Sequence, residues 1–453
     1  MKNHPSLPKE FEDTLRGKLG ESYEQFLSSL QQPSPVSIRL NPHKQFTIES
    51  ESVAWSKFGK YLKARPKFTL DPAIHAGAYY VQEASSMFLE QAITQTTDLT
   101  IPIRVLDLCA APGGKSTHLL SMLHRDSLLV SNEVIRSRAS ILSENIQKWG
   151  HMNVVVTNND PEDFSRLTGF FDVIVVDAPC SGEGLFRKDP NAMQEWSPAN
   201  VDLCSKRQRR ILADVWPTLK TNGVLIYCTC TYNPQENEDN LRWLQEQHDI
   251  ESIPLTVDNS WGIETIKEGN LLGYRFYPHQ VRGEGFFLSA IRKTAVVQEL
   301  RIKSKKALTP PSKKIIEQLK DWMLNETYKL YLWNEIVYAI PNNQVEEIEF
   351  LLQHLKIVQA GTPFITAKHD KLIPEHASAL SIELNKNHFQ NIEVSLEEAL
   401  HFLRKEPIQV GSTPKGFALI TYNKLPLGWV NVLDNRSNNL YPKEWRIRMA
   451  NPK

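Results

Sequence analysis

Five short apolar runs separated by helical stretches constrain this chain more than any other feature of it. They are 104–108, 128–133, 153–158, 172–177 and 223–230, with helical periodicity between them, as in 136–149 and 200–219. Strands that are apolar throughout and alternate with helices predict a mostly parallel sheet covered on both faces. A final hairpin is expected near 274–277 and 285–291. Ligands of such sheets sit outside the carboxyl ends of the strands. The loops that follow the runs are therefore where chemistry is expected.

Three of those loops carry unusual residues. Val105-Leu106-Asp107-Leu108 runs into Cys109-Ala110-Ala111-Pro112-Gly113-Gly114-Lys115. Val173-Ile174-Val175-Val176 runs into Asp177-Ala178-Pro179-Cys180-Ser181-Gly182, and Val224-Leu225-Ile226-Tyr227 precedes Thr229-Cys230-Thr231. The first loop suits a nucleotide-like cofactor, and three readings compete for it. Gly114-Lys115-Ser116 matches the end of a phosphate loop, with 173–177 as the strand-plus-Asp of an ATPase. Against this, Cys109 stands where the first glycine belongs, and Pro112 lacks an N–H to offer a phosphate. A dinucleotide loop would need G-x-G-x-x-G, which is absent. In the third reading Gly113-Gly114 lets the backbone approach the methionine part of S-adenosylmethionine. Glu133 would then accept the ribose hydroxyls and Asp160 the adenine amino group. The residues alone favour this reading and leave the ATPase open.

A free cysteine is usually a small inert core residue, and Cys109, Cys204 and Cys228 are read that way. Cys180 and Cys230 differ by position. Both follow strands expected to be neighbours, on the cofactor side, where nearby helix N-termini would lower a thiol pKa. Two such thiols suit covalent catalysis on an electrophilic ring. Cytosine is such a ring: a thiolate adding at carbon 6 turns carbon 5 into an enamine that can attack a sulfonium methyl group. A partner must then remove the carbon 5 proton, and an acid near the ring nitrogen would assist the addition. Asp177, three residues before Cys180, could supply that contact.

The chain has 453 residues, enough for two or three domains. A basic, proline-stiffened segment, Arg301-Ile302-Lys303-Ser304-Lys305-Lys306 and Thr309-Pro310-Pro311-Ser312-Lys313-Lys314, breaks it. The expected division is 1–90 an N-terminal α/β appendage, 91–295 the sheet domain, 296–314 the linker and 315–453 a C-terminal region. Lys+Arg and Asp+Glu are both 52, so any nucleic-acid surface must be local. No apolar leader opens the chain, and no apolar stretch approaches the roughly 18 residues of a membrane span. Five cysteines without scaffold spacing or a zinc-type cluster predict reduced thiols and no metal. A cytoplasmic protein without a membrane partner is expected.

At these motifs the chain resembles the RNA cytosine-5 methyltransferases of the Sun (Fmu) family. The resemblance covers Asp107–Lys115, Asp177 to Gly184, and Thr229-Cys230-Thr231-Tyr232-Asn233-Pro234-Gln235-Glu236-Asn237-Glu238. It extends to Ser37–Pro42, Tyr79–Met87 and Arg187-Lys188-Asp189-Pro190. The tail, Leu427-Gly428-Trp429 to Tyr441-Pro442-Lys443-Glu444-Trp445-Arg446, looks like the PUA-like domain of a branch that modifies small-subunit ribosomal RNA. The resemblance implies a Rossmann-like methyltransferase sheet, an RNA-binding N-terminal α/β appendage over 1–90, and an RNA-binding C-terminal region over 315–453 with a PUA-like α+β domain. It also implies S-adenosyl-L-methionine as cofactor, and a monomer acting on 16S rRNA or the small ribosomal subunit, with transfer RNA as the alternative substrate. Cys230 then matches the cysteine that attacks carbon 6, and Cys180 the one required for product release. Cys109, Ala110, Ala111, Pro112, Gly113, Gly114, Lys115, Glu133, Asp160 and Asp177 match the cofactor site, with Asp177 and Lys115 also near the base. One departure is Cys228, where the family usually has Ala or Ser. Arg39, Arg187 and Lys188 are candidates for phosphate contacts, and Tyr79 and Tyr80 for base-stacking platforms. The linker and Arg446 and Arg448 would supply a local positive surface.

Overall fold

A computed structural model of the chain describes residues 7–303, 305–368, 371–411, 413–434 and 436–449. Met1 to Ser6, where the absence of an apolar leader is read, and Ser304 of the expected linker lie outside the described residues. Five parallel strands form the centre, in the spatial order Leu219–Thr229, Phe171–Asp177, Arg104–Asp107, Leu128–Asn132 and Val154–Thr157. Phe286–Lys293, Leu271–Phe276 and Glu264–Glu268 extend the sheet antiparallel beyond Leu219–Thr229. The chain leaves Arg104–Asp107 in one direction and returns to its other side. That strand is thus the switch point where the order reverses and a crevice opens.

The apolar runs are explained by burial on both faces. Val105, Val173, Val175, Val224 and Ile226 pack on one side, with Ile146 and Trp149 of the helix Arg136–Trp149. Leu106, Ile174, Val176, Leu225 and Tyr227 pack on the other, with Ile211 and Val215 of the helix Pro198–Val215. The two sets alternate along each strand, as side chains of a pleated strand must.

Residues 11–30 lie in two helices, Lys9–Leu19 and Tyr23–Leu30, which part at Gly20, whose φ is 52°. One expectation is corrected: the region beyond 314 does not stand apart from the sheet domain. Its strand Ile357–Ala360 pairs antiparallel with Val154–Thr157 and becomes an edge of the central sheet. Lys44, from the N-terminal part, donates to the carbonyls of Ala76, Lys148 and Leu380 at 2.6, 3.1 and 2.8 Å, joining three parts of the chain. Gly150, at φ 92°, lets this docking occur: a Cβ there would lie 2.4 Å from the Leu380 carbonyl oxygen. The expected linker is pinned as well, through Ala307 and Leu308 N–H groups on Glu349. Among the described residues no helix is long and apolar enough to cross a membrane.

Candidate active site

A cavity of about 690 Å³ opens at the carboxyl ends of the central strands, at the switch point. Cys109, Ala110, Ala111, Pro112, Gly114 and Lys115 line it, as do Glu133, Asp160, Asp177, Cys180 and Cys230. Gly113 turns the backbone behind them at φ 115°, and the helix Gly114–Leu120 begins there. The loop is tied at both ends: Leu108 N–H donates to Val175 O at 3.0 Å, and Ala110 N–H to Asn132 O at 2.8 Å. Asn132 was not a sequence candidate, yet its side chain donates to the carbonyls of Leu108 and Asn159 and so spans two strand-end loops.

Lys115 Nζ lies 2.7 Å from Asp177 Oδ2, inside the cavity. Burial alone would lower the Lys115 pKa, but Asp177 outweighs it and the ammonium is stabilised. Asp107 is fully buried below, accepting from Ser116 Oγ at 2.6 Å, and burial pushes its carboxyl up to about 7. Glu133 accepts the Ile135 N–H and approaches Arg138. Asp160 accepts the Glu162 N–H and pairs with Arg210.

The sulfurs of Cys180 and Cys230 are 2.9 Å apart at the cavity wall, and both residues are part-exposed. Their strands are direct neighbours, with Asp177 opposite Cys228. Cys228 faces the core, is 0% exposed, and has its thiol pushed up by burial. The lowered pKa expected for Cys180 is not found. No α-helix starts at it, only a single turn of 3₁₀-helix at Glu183–Leu185. The hydrogen bond with Cys230, followed by burial, pushes the Cys180 thiol well above its ordinary value. Either sulfur could donate across the contact, and the Cys230 N–H donates to Cys180 Sγ at 3.3 Å.

Two of the three basic candidates are also corrected. Arg39 lies in the middle strand of a three-stranded sheet, Val36–Leu40, and its side chain is 0% exposed. It donates to Gln82 Oε1 at 2.8 Å, to Thr117 Oγ1 at 2.6 Å, and to the carbonyls of Gly114 and Thr117, with its guanidinium over the Trp149 ring. It buttresses the first turn of the cofactor-loop helix and cannot reach a phosphate. Arg187 is spent on Glu284 and the Gly283 and Ser29 carbonyls. Lys188 is exposed and lines both the cavity and an adjoining groove with Lys63, Arg65 and Arg282. Tyr79 is buried and bonded to Asp71, whereas Tyr80 lines the cavity.

The residues present fit a sulfonium nucleoside. Carboxylates stand at three strand ends, and Val134 and Ile135, 54% and 49% exposed, offer an apolar wall inside the cavity. Such exposure of large apolar groups within a cavity marks a ligand surface. A phosphate loop fits less well, since Lys115 is neutralised by Asp177. Among the described residues no cluster of three or more metal-ligating side chains occurs.

Comparisons with known proteins agree with this geometry. The family model for the 16S rRNA methyltransferase RsmB/F matches residues 98–292. The N-terminal domain of 16S rRNA methyltransferase RsmF matches 7–84, and the methyltransferase RsmF PUA domain 389–447. The ribosomal RNA small subunit methyltransferase F of Citrobacter koseri is 30% identical over 455 residues, covering 93% of this chain and 92% of its own. That of Pectobacterium atrosepticum is 36% identical over 318 residues, covering 65% and 64%. A crystal structure of a methyltransferase homolog protein from Pyrococcus horikoshii superposes with a TM-score of 0.54 at 27% identity, covering 63% of this chain and 95% of its own. NSun6 from Pyrococcus horikoshii, solved with SFG, shares the fold at 19% identity, with a TM-score of 0.54 over 64% of this chain and 98% of its own. With its sheet, its cavity and all three matched segments in one chain, the protein belongs to the RsmF branch of the 16S rRNA methyltransferase RsmB/F family.

Proposed function

We propose that this methyltransferase forms 5-methylcytosine in 16S ribosomal RNA through a covalent adduct between Cys230 and the target base. The observation that carries the proposal is the pair of sulfurs, 2.9 Å apart, beside a cavity that also holds the Lys115–Asp177 pair. S-adenosylmethionine, held by the 109–115 loop, Glu133 and Asp160, supplies an electrophilic methyl group when bound.

Cys230 attacks carbon 6 as the thiolate while Cys180 keeps the shared proton. Asp177 and Lys115 supply a proton toward the ring nitrogen as the bond forms, which lets carbon 5 act as the nucleophile. After methyl transfer carbon 5 carries both a methyl group and a hydrogen. The ring nitrogen returns its proton to the Asp177–Lys115 pair, and Cys180, its own proton lost to solvent, takes the carbon 5 hydrogen as a proton; the carbon 5–carbon 6 double bond re-forms and Cys230 leaves as the thiolate. Cys228, sealed in the core two residues away, takes no part. The base must be extruded from its stack to reach the sulfurs. Lys188, on the rim shared with the basic groove, would hold the flanking phosphates.

The test is nucleoside analysis of small-subunit RNA incubated with the protein and isotopically labelled S-adenosylmethionine. Label in 5-methylcytidine is expected. Label in another base or in ribose would overturn the proposal.

A further inference from the structure

We infer that Glu236 is a positioning residue that acts through Ser181 and Gln208 on the two cysteines, and that it governs release of the methylated base more than the attack on it. The inference rests on the covalent reading above. Glu236 is fully buried behind the sulfurs. Its Oε1 accepts the Ser181 N–H at 2.8 Å and Gln208 Nε2 at 3.1 Å, and its Oε2 accepts the Ser181 hydroxyl at 2.5 Å. Gln208 Nε2 also donates to the Pro179 carbonyl at 2.9 Å, while its Oε1 accepts from Asn240, which fixes the amide orientation. The carbonyl before Cys180 and the N–H after it are thus tied to one carboxylate–amide pair. Thr231, which follows Cys230, has its hydroxyl 3.1 Å from that of Ser181. The residue following Cys230 therefore reaches the carboxylate only through the Ser181 hydroxyl.

All three of these contacts are donors, so the site is built for the charged carboxylate. Burial opposes the charge, the Ser181 bonds favour it, Glu183 disfavours it, and the group is pushed up to about 7. The titratable groups facing it are Glu183, Cys180, Cys204 and Tyr227, with Cys230 beyond Cys180. Glu183, Cys204 and Tyr227 are raised by burial, and Cys180 chiefly by Cys230. The Glu236 charge is a further influence that raises Cys180, but its hold on release is geometric: the Pro179 carbonyl and the Ser181 N–H fix the backbone on both sides of Cys180 and so aim its sulfur. In release, Cys180, its own proton lost to solvent, takes the carbon 5 proton onto Sγ. The freed electron pair becomes the carbon 5–carbon 6 double bond, and the carbon 6–sulfur pair leaves on Cys230. Attack by Cys230 needs no such base.

The test follows the denaturant-resistant RNA adduct over a single turnover in the full-length Glu236→Gln variant. The adduct is expected to form at close to the wild-type rate and to persist about tenfold longer. Below about pH 7, the Glu236 value, wild-type release should fall with pH more steeply than deprotonation of Cys180 alone requires, and the variant should lack that extra loss. Release at the wild-type rate, or attack and release slowed equally, would overturn the inference. Should Glu236→Gln fail to fold, Ser181→Ala carries the test: a longer-lived adduct supports the inference and wild-type release overturns it. A Cys180→Ala control keeps the two ideas apart, because failure of that variant to trap any adduct overturns the covalent reading itself.

Discussion

Two buried charges, Arg39 and Glu236, support the active site from opposite sides, and they do so by the same physics with different consequences. Each is fully buried and surrounded by neutral dipoles of the right sign. Arg39 meets acceptors: Gln82, Thr117 and the carbonyls of the cofactor-loop helix. Glu236 meets donors: the Ser181 N–H, its hydroxyl and the Gln208 amide. Burial lowers the Arg39 pKa only to about 9, so it stays charged near neutrality, whereas burial raises Glu236 to about 7. Arg39 holds a helix and stays remote from the reacting atoms. Glu236 holds Ser181, the residue that follows Cys180. The difference teaches that a buried charge serves stability or chemistry according to what its partners carry, and not according to how deeply it is buried.

That contrast can be broken by substitution. The largest effect is expected at the sulfurs themselves: Cys230→Ala should lose methyl transfer by at least about 10³-fold while its melting temperature stays within roughly 2 °C of wild type. Lys115→Met, which strips Asp177 of its partner, should cost about 10²-fold in methyl transfer at saturating cofactor. Arg39→Met should instead be read in stability, with a loss of about 3 kcal/mol in denaturant melts as its carbonyl and hydroxyl acceptors go unpaired. If that variant kept wild-type stability and lost only activity, the division between the two clusters would fail. The smallest effect is expected at Cys228→Ala, which should cost about 1 kcal/mol in stability for a small core cavity. Its methyl transfer should stay within about twofold of wild type.

The strands and the site motifs were legible in the sequence because both are local. A run such as Val173-Ile174-Val175-Val176 needs only burial on two faces, and Cys109–Lys115, Asp177 and Cys180 follow their strands at fixed spacing. Side chains whose environment is made by distant partners were not legible. Arg39 reads as a surface cation until Gln82 and Thr117 are brought to it, and Arg187 until Glu284 is. Ile357–Ala360 reads as a strand, but nothing local tells that its partner is Val154–Thr157. Glu236 lies within the 229–238 motif, which by itself gives it no role, because only the fold places Ser181 and Gln208 against it. The raised Cys180 thiol was missed for the same reason, since a neighbouring sulfur and burial are tertiary facts.

The asymmetry between the two sulfurs is tested most directly by denaturing electrophoresis of Cys180→Ala and Cys230→Ala after incubation with substrate RNA and S-adenosylmethionine. Cys180→Ala should retain a covalent protein–RNA band, because the methylated base cannot be released, and Cys230→Ala should show none. A band in Cys230→Ala, or its absence in Cys180→Ala, would contradict the assignment of attack to Cys230 and release to Cys180.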